Sequence, residues 1–339
     1  MSGIATALGT MGVIVAVGWL LGKYRVLGVN AAPVLARTTF VVAIPALLIV
    51  TIAHADLALL LSRVALVTVL STTAVILLAV VVLVGVWRLG VGDATVTTLA
   101  SSYLNAVHLG IPIAVYVVGD AVAVVPTLLF QQLVLAPTAF ALLDRAGARE
   151  RARVQARTAT VTGDGGPAEG ASSETTRSAP PATRVHAPGG LSRTVRNPII
   201  VAASIGLLLA LLPWDLPDVV FEPFRVVGAA AAPMALVAFG MSLAVPRPTG
   251  DRLLTRELSL VVVLRAVIHP ALTALVGHAL GVTGPALLAV VTMASLPTAQ
   301  NVLVYALHYG RRENLARDAG LVTTLLTVPL MLVVAATLG

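Results

Sequence analysis

The sequence predicts an all-α polytopic membrane protein in which ten transmembrane helices form two inverted repeats of five. Three observations lead to this prediction: an apolar composition, a polar segment between two similar halves, and polar stretches that break two of the predicted spans. The chain is 58% hydrophobic and 11% charged, with a mean hydropathy of +0.97. A soluble domain of this length cannot bury so much apolar material.

The sequence contains no cysteine, which excludes disulfides, thiolate metal sites and a cysteine nucleophile, and no metal or cofactor is expected.

The predicted spans are apolar segments long enough to cross about 30 Å of hydrocarbon, which takes roughly 20 helical residues. The first segment lacks a basic start and a small-residue cleavage pattern, so it is predicted to be a membrane helix and not a signal peptide. The predicted spans are 3–22, 38–57, 64–87, 94–118, 121–143, 197–214, 223–245, 258–281, 284–309 and 318–338.

The basic residues lie mainly on one side of this arrangement. With a non-cytoplasmic N-terminus, the loops outside the cell hold only Arg63 and Arg225. Ten basic residues in the other loops, together with nine arginines at 144–196, fall on the opposite side. This bias follows the positive-inside rule, so both termini are expected outside a cell membrane, inner or plasma. The net charge of +7 is therefore a topology signal, and no nucleic-acid partner is expected.

A composition break at 144–196 separates residues 1–143 from residues 197–339. Ser, Thr, Pro, Gly and Arg dominate the break, which is predicted to be a disordered cytoplasmic linker with a short helix continuing from the fifth span. The two halves share landmarks that are 188 to 192 residues apart. Because five is odd, the second half must be inserted upside down, and such repeats place a binding site near the midplane. The landmarks are Pro45 and Pro233, Gly85 and Gly277, Gly119 and Gly310, and Pro137 and Pro329.

The fourth span has an unusually polar sequence and a predicted break at 105–112. Most of its Ser and Thr hydroxyls are expected to bond to their own helix backbone and to neighbouring helices. Asn105 and His108 are three residues apart and share a helix face, one turn before Gly110 and Pro112, where the helix must open. Asn105 is predicted to bind a ligand, while His108 is open between a site role and packing.

The ninth span repeats this pattern at 295–301. Pro297 frees an upstream carbonyl, and Gln300 and Asn301 supply amides that both donate and accept hydrogen bonds. If the two broken helices cross, their half-helix N-termini direct positive partial charge at a ligand between them. That arrangement favours an anion, particularly a carboxylate. The alternative is that two kinked helices simply pack together.

Arg265 is the only strongly charged residue that lies well inside a predicted span. The sequence leaves three roles open for its side chain: attraction of an anion, stabilisation of carbonyls freed by a helix break, or extension to the cytoplasmic surface. No Asp or Glu lies deep in a predicted span, so no carboxylate-based proton or Na⁺ site is visible.

An enzyme is not predicted. The residues Gly90-Val91-Gly92-Asp93 match the G-x-G-D string of intramembrane aspartyl proteases, but that chemistry needs a second carboxylate inside the membrane. Asp93 is instead predicted to lie in a cytoplasmic turn and to cap a helix that begins at Ala94. The sequence contains neither an H-E-x-x-H nor a G-x-S-x-G string.

At these residues the chain resembles the auxin efflux carrier family, which includes plant PIN-type carriers and bacterial organic-anion transporters. The similarity covers both halves and leaves out the 144–196 segment. It rests on Asn105 followed by Gly110-Ile111-Pro112, on Leu296-Pro297-Thr298-Ala299 followed by residues 306–310, on Asn197-Pro198, on residues 233–243, and on Arg265 ahead of Pro270.

The resemblance implies the fold shared with bile-acid sodium symporters. Spans 1, 2, 6 and 7 form a scaffold, and spans 3–5 and 8–10 form the mobile transport domain of an elevator-type homodimer in membrane lipid. It places Asn105, Pro112 and Pro297 in the crossover site, with Gln300 and Asn301 adjacent. Relatives usually have an apolar residue at the position of His108, and the charged pair of the plant carriers is missing from the third span. A small carboxylate is therefore expected in place of auxin.

Three functional hypotheses follow from the sequence. The first is an efflux carrier or uniporter of small organic anions, the second a Na⁺-coupled symporter of bile-acid-symporter type, and the third a receptor or structural membrane protein. The symporter should carry a glutamate near the second break, where Gln300 and Asn301 stand, and a receptor would not need polar breaks in both halves. Uniport driven by the membrane potential is favoured over proton coupling through His108 or His269.

Overall fold

The described parts of the chain consist of helices and the loops that join them. The computed structural model contains no β-strand in those residues, and the one β-bridge described joins Leu104 to Thr298. The described residues are 2–28, 30–54, 62–110, 113–114, 118, 121–163, 198–212, 217–245 and 255–338.

Eleven helices of more than eight residues lie in the described part of the chain. They are α1 Ser2–Lys23, α2 Ala31–Ala53, α3 Arg63–Val86, α4 Val91–Ser102, α5 125–163, α6 Pro198–Leu211, α7 Asp218–Leu243, α8 Arg256–Ala279, α9 Gly284–Ala294, α10 Asn301–Tyr309 and α11 Glu313–Leu338. Helices α2, α3, α5, α7, α8 and α11 include stretches long and apolar enough to cross a membrane, and shorter apolar helices occur at Gly12–Lys23, α6 and α9. This is the helical composition of a multi-pass membrane protein, while the arrangement of ten spans in inverted repeats stays a prediction.

Two of the predicted spans are broken in the structure. In the fourth span, α4 ends at Ser102 and a short π-helix, Ala106–Gly110, follows. In the ninth span, α9 ends at Ala294 and α10 begins at Asn301, so Pro297 lies between the two helices. The chain therefore leaves the helical conformation at both polar stretches, as the sequence predicts.

The helices pack in two groups. In one group, α1 runs along the second half of α7, and α2 contacts α6 and the first half of α7. The contact between α1 and α7 depends on glycine, because a Cβ atom at Gly240 would lie 2.1 Å from the carbonyl oxygen of Val15. In the other group, α3 packs against α4 and α8, and α11 packs against α8, α9 and α10. The two groups also touch, because α10 packs against α2. The division into a scaffold of spans 1, 2, 6 and 7 and a transport domain of the other six stays a prediction.

Helix α5 extends well beyond the predicted fifth span. Residues 144–163, which belong to the segment predicted to be a disordered linker, continue this helix to Gly163. A short continuing helix was expected there, and the remainder of the segment, 164–196, lies outside the described residues. Glu150 on the extension forms an ion pair with Arg311, which joins it to the loop between α10 and α11.

The predicted role of Asp93 is wrong. Helix α4 begins at Val91 with Gly90 as its N-cap residue, so Asp93 lies within the first helical turn. Its carboxylate forms ion pairs with Arg311 at 3.2 Å and with Arg312 at 3.1 Å. Asp93 therefore takes part in an ion-pair cluster with the loop between α10 and α11.

Candidate functional site

The two helix breaks meet and bond to each other. The backbone N–H of Asn105 donates to the carbonyl of Pro297 at 2.9 Å, and the N–H of Ala299 donates to the carbonyl of Tyr103 at 3.0 Å. Leu104 and Thr298 lie between these bonds as an antiparallel bridge. Each break thus supplies hydrogen-bond partners to backbone groups of the other break. Backbone that leaves the helical conformation inside a membrane protein requires such partners.

Each crossing segment is also held by a side chain from the next predicted span, α5 for the first break and α11 for the second. The N–H of Leu104 donates to Oε1 of Gln131 at 2.5 Å, and the N–H of Thr298 donates to Oγ1 of Thr323 at 3.0 Å. The hydroxyl of Thr298 donates to the carbonyl of Ala100 at 2.7 Å. The two halves of the chain therefore support the crossing in a reciprocal way.

A cavity of about 20 Å³ lies beside the crossing. Its polar wall comes from the breaks and from the π-helical turn Gln131–Leu135 of α5, and its apolar wall comes from α2 and α6. None of the described residues that line this cavity is charged, so a ligand there would meet amides, phenols and aliphatic groups. The lining residues are Ile44, Leu47, Leu48, Tyr103, Leu104, Asn105, Ala106, Leu128, Gln131, Gln132, Ala136, Ile199, Ala299, Asn301 and Tyr305.

Three polar residues of this cavity lie close together. Tyr103 and Tyr305 are neighbours, and Asn301 lies one helical turn before Tyr305 in α10. The two tyrosine rings meet edge to face, with centroids 6.0 Å apart. Because Asn301 begins α10, the N-terminal end of a nine-residue helix also faces the cavity. The site combines hydrogen-bond donors and acceptors with a positive helix end.

The structure brings some of the predicted site residues together and separates others. Asn105 and Asn301 line the cavity from different breaks, and Pro297 supplies a carbonyl to the crossing. Gln300 is buried but turned away, because its Oε1 lies 3.3 Å from where a Cβ atom of Gly320 would stand. Gly110 serves packing, since a Cβ atom there would lie 2.9 Å from Val124.

Two predicted site residues are not placed by the structure. The side chain of His108 and the whole of Pro112 lie outside the described residues.

The hydroxyls of α4 behave as expected: Thr95, Thr97, Ser101 and Ser102 each donate to the carbonyl four residues earlier.

Arg265 lies outside the lining of this cavity. Its side chain is 1% exposed and bonds to His269, so the alternative in which it extends to the cytoplasmic surface is wrong.

A buried acidic residue in α11, Asp318, was not selected from the sequence. It pairs with Arg317 at 3.0 Å. Arg317 in turn donates to the carbonyl of Ser242 in α7 at 3.2 Å.

The cavity includes four polar residues that the sequence analysis did not select: Tyr103, Gln131, Gln132 and Tyr305. A signal was available for the glutamines, because an adjacent amide pair in the middle of an apolar span is as unusual as the amides at the breaks. No comparable signal marks the tyrosines, since an aromatic residue in a membrane helix is ordinary.

Broken helices that cross beside a buried polar cavity, in a protein of many apolar helices, form the kind of site found in secondary membrane transporters. The family model described as "Membrane transport protein" matches residues 4–335. The chain belongs to this family, the auxin efflux carrier family that its motifs predict.

A curated relative points to the same class of protein. A protein of Rhizobium meliloti (strain 1021) named "Putative malonate transporter" is 34% identical to this chain over 141 residues. The matched segment covers 41% of this chain and 43% of that relative, so the match spans less than half of the relative's length. Family and relative together indicate a transporter, in agreement with the prediction that the protein is not an enzyme.

Proposed function

We propose that this protein is a secondary transporter of small organic anions and that the substrate binds in the cavity beside the crossing. The observation that carries the proposal is that Asn105 and Asn301, one from each broken helix, line the same cavity. Two kinked helices that only pack together would not need amides converging on a shared space.

The chemistry of the cavity favours a short carboxylate. Amide N–H groups, phenol hydroxyls and the N-terminal end of α10 can donate to carboxylate oxygens, while Ile44, Leu48 and Ile199 suit a small hydrocarbon body. The name of the bacterial relative supports malonate as the first candidate. Arg265 is not needed for this step, because it does not line the cavity.

An elevator movement accounts for entry and release. The cavity lies between α2 and α6 on one side and the two breaks, α5 and α10 on the other, which is the boundary between the proposed scaffold and transport domain. A space of about 20 Å³ is close to the size of one water molecule, so a carboxylate enters only if the two sides separate. The reciprocal bonds of Leu104 and Thr298 support the inverted repeat on which such movement depends. A homodimer in a cell membrane, with both termini outside, completes the proposal.

Uniport is the proposed mode of coupling. Since the lining residues that the structure describes are all uncharged, the charge that moves is that of the substrate itself. Export of one negative charge gains about 2.3 kcal/mol per 100 mV, enough for roughly fiftyfold accumulation. Proton coupling through His269 is disfavoured, because this side chain is buried against Arg265.

A Na⁺-coupled symporter is the second candidate, and one observation favours it. The Oε1 atom of Gln300 is buried and has no hydrogen-bond partner among the described residues, so it is an acceptor that a cation would satisfy. A neutral amide is a weaker cation ligand than the glutamate expected in such a symporter, which places this candidate second.

Potential-driven flux in proteoliposomes tests these modes of transport. We expect malonate flux to follow an imposed membrane potential at equal pH and without Na⁺, because the substrate carries the charge that moves. The measurement uses labelled malonate, other mono- and dicarboxylates, and a K⁺ diffusion potential. Flux that requires Na⁺ would select the symporter. Flux that requires a proton gradient, with the requirement lost in His108→Gln, would contradict uniport.

A further inference from the structure

A buried guanidinium without a carboxylate partner lies in α8, apart from the crossover cavity. Arg265 occupies the π-helical turn Leu264–Ile268, and its side chain is 1% exposed. One of its terminal nitrogens, Nη1, lies 2.9 Å from Nδ1 of His269. Its Nε and Nη2 atoms have no hydrogen-bond partner, and no Asp or Glu forms an ion pair with it, among the described residues.

The contact with His269 fixes both side chains. A guanidinium only donates hydrogen bonds, so Nδ1 of His269 must accept and its ring proton must be on Nε2. Nε2 lies 3.2 Å from Oγ1 of Thr72 in α3, which accepts that proton. The imidazole is thus neutral, the cluster carries the single positive charge of Arg265, and the orientation of the guanidinium is set from two helices.

Neighbouring hydroxyls are already engaged elsewhere. Thr273 donates to the carbonyl of His269 at 2.8 Å, and Ser71 donates to the carbonyl of Val67 at 2.7 Å. An unpaired ion buried in a protein costs several kcal/mol even after relaxation and water penetration. The described side chains leave this positive charge uncompensated, and a bound anion would compensate it.

The two unpartnered atoms lie on one edge of the guanidinium. Nε and Nη2 present parallel N–H donors, the geometry that binds both oxygens of a carboxylate. We propose that this edge of Arg265 is a second binding site for a small carboxylate, between α8 and the helices α3, α4 and α11 that pack against its π-helical turn. His269 and Thr72 are positioning residues of this site, and the crossover cavity is a separate one.

Calorimetric titration of the purified protein with malonate tests this second site. The starting variant is Asn105→Ala with Asn301→Ala, which weakens the crossover site so that the remaining binding is seen alone. Adding Arg265→Met, which keeps the volume and removes the charge, should weaken that remaining binding at least about tenfold. Arg256→Met is the matched control, because Arg256 is an exposed arginine of the same helix, and it should leave the affinity unchanged.

Arg265→Lys separates a two-pronged site from a simple positive charge and covers the case in which Arg265→Met does not fold. Lysine keeps the charge but not the paired donors, so malonate should lose affinity while chloride binding is kept. Two results would overturn the proposal. One is that the starting variant binds no malonate, and the other is that its malonate affinity is unchanged when Arg265 is replaced with Met or Lys. If the crossover cavity is not a substrate site, the Asn substitutions will leave affinity unchanged while the Arg265 effect persists, so the two failures are distinguishable.

Discussion

A thiol-specific bridge between positions 40 and 308 is expected to abolish transport. Phe40 of α2 and His308 of α10 stack with ring centroids 3.8 Å apart and planes 12° apart, and they belong to opposite sides of the proposed sliding boundary. Joining Phe40→Cys to His308→Cys with mercury would hold scaffold and transport domain together. The chain has no native cysteine, so the bridge forms only at the introduced pair. Malonate flux is measured in proteoliposomes before bridging, after it, and after reversal with excess thiol.

A second pair of positions provides the matched control. Phe140 of α5 and Tyr309 of α10 also stack, with centroids 6.4 Å apart, but both belong to the proposed transport domain. Bridging Phe140→Cys to Tyr309→Cys should therefore leave transport largely intact. Undiminished flux through the protein bridged between positions 40 and 308 would contradict the elevator movement.

Replacing either crossover asparagine with alanine is expected to weaken carboxylate binding by roughly ten- to a hundredfold. The reason is that the loss of a buried hydrogen-bonding partner costs about 1–3 kcal/mol. Asn105 is 1% exposed and lines the cavity, and Asn301 lines it one helical turn before Tyr305. Malonate affinity is measured by calorimetric titration of Asn105→Ala and Asn301→Ala, and thermal unfolding of the same samples shows whether they are folded.

Asn314→Ala is the control for these substitutions. Asn314 is an exposed asparagine in the first turn of α11 and does not line the cavity, so its loss should not change affinity. Wild-type affinity in both crossover variants would mean that the broken helices meet for packing alone.

The helix breaks were predictable because local chemistry causes them. Proline at 297 cannot donate a backbone bond, and polar side chains beside it are costly in hydrocarbon unless they serve a purpose. Two such stretches at matching places predicted that the broken helices would cross, and the bonds of Asn105 and Ala299 confirm the crossing. The predicted break in the fourth span began at Asn105, whereas α4 ends at Ser102, so Tyr103 and Leu104 also belong to the crossing.

The supporting side chains were not predictable, because they depend on where distant helices lie. Gln131 reaches the backbone of Leu104 from a π-helical turn, and the extra residue in such a turn changes the direction of the side chains that follow it. Arg265 also lies in a π-helical turn, so the sequence alone could not decide between the alternatives for its side chain. Helical periodicity assumes a regular helix and fails where the helix is interrupted.

Counterflow of malonate tests the central claim most directly, because it needs neither an ion gradient nor a membrane potential. Proteoliposomes loaded with unlabelled malonate are diluted into a trace of labelled malonate, and the label inside is followed with time. The account predicts a transient accumulation of label with the wild-type protein and a much smaller one with Asn105→Ala and Asn301→Ala combined. Label that stays at the level of protein-free liposomes for malonate and other small carboxylates, or full counterflow in the combined variant, would contradict it.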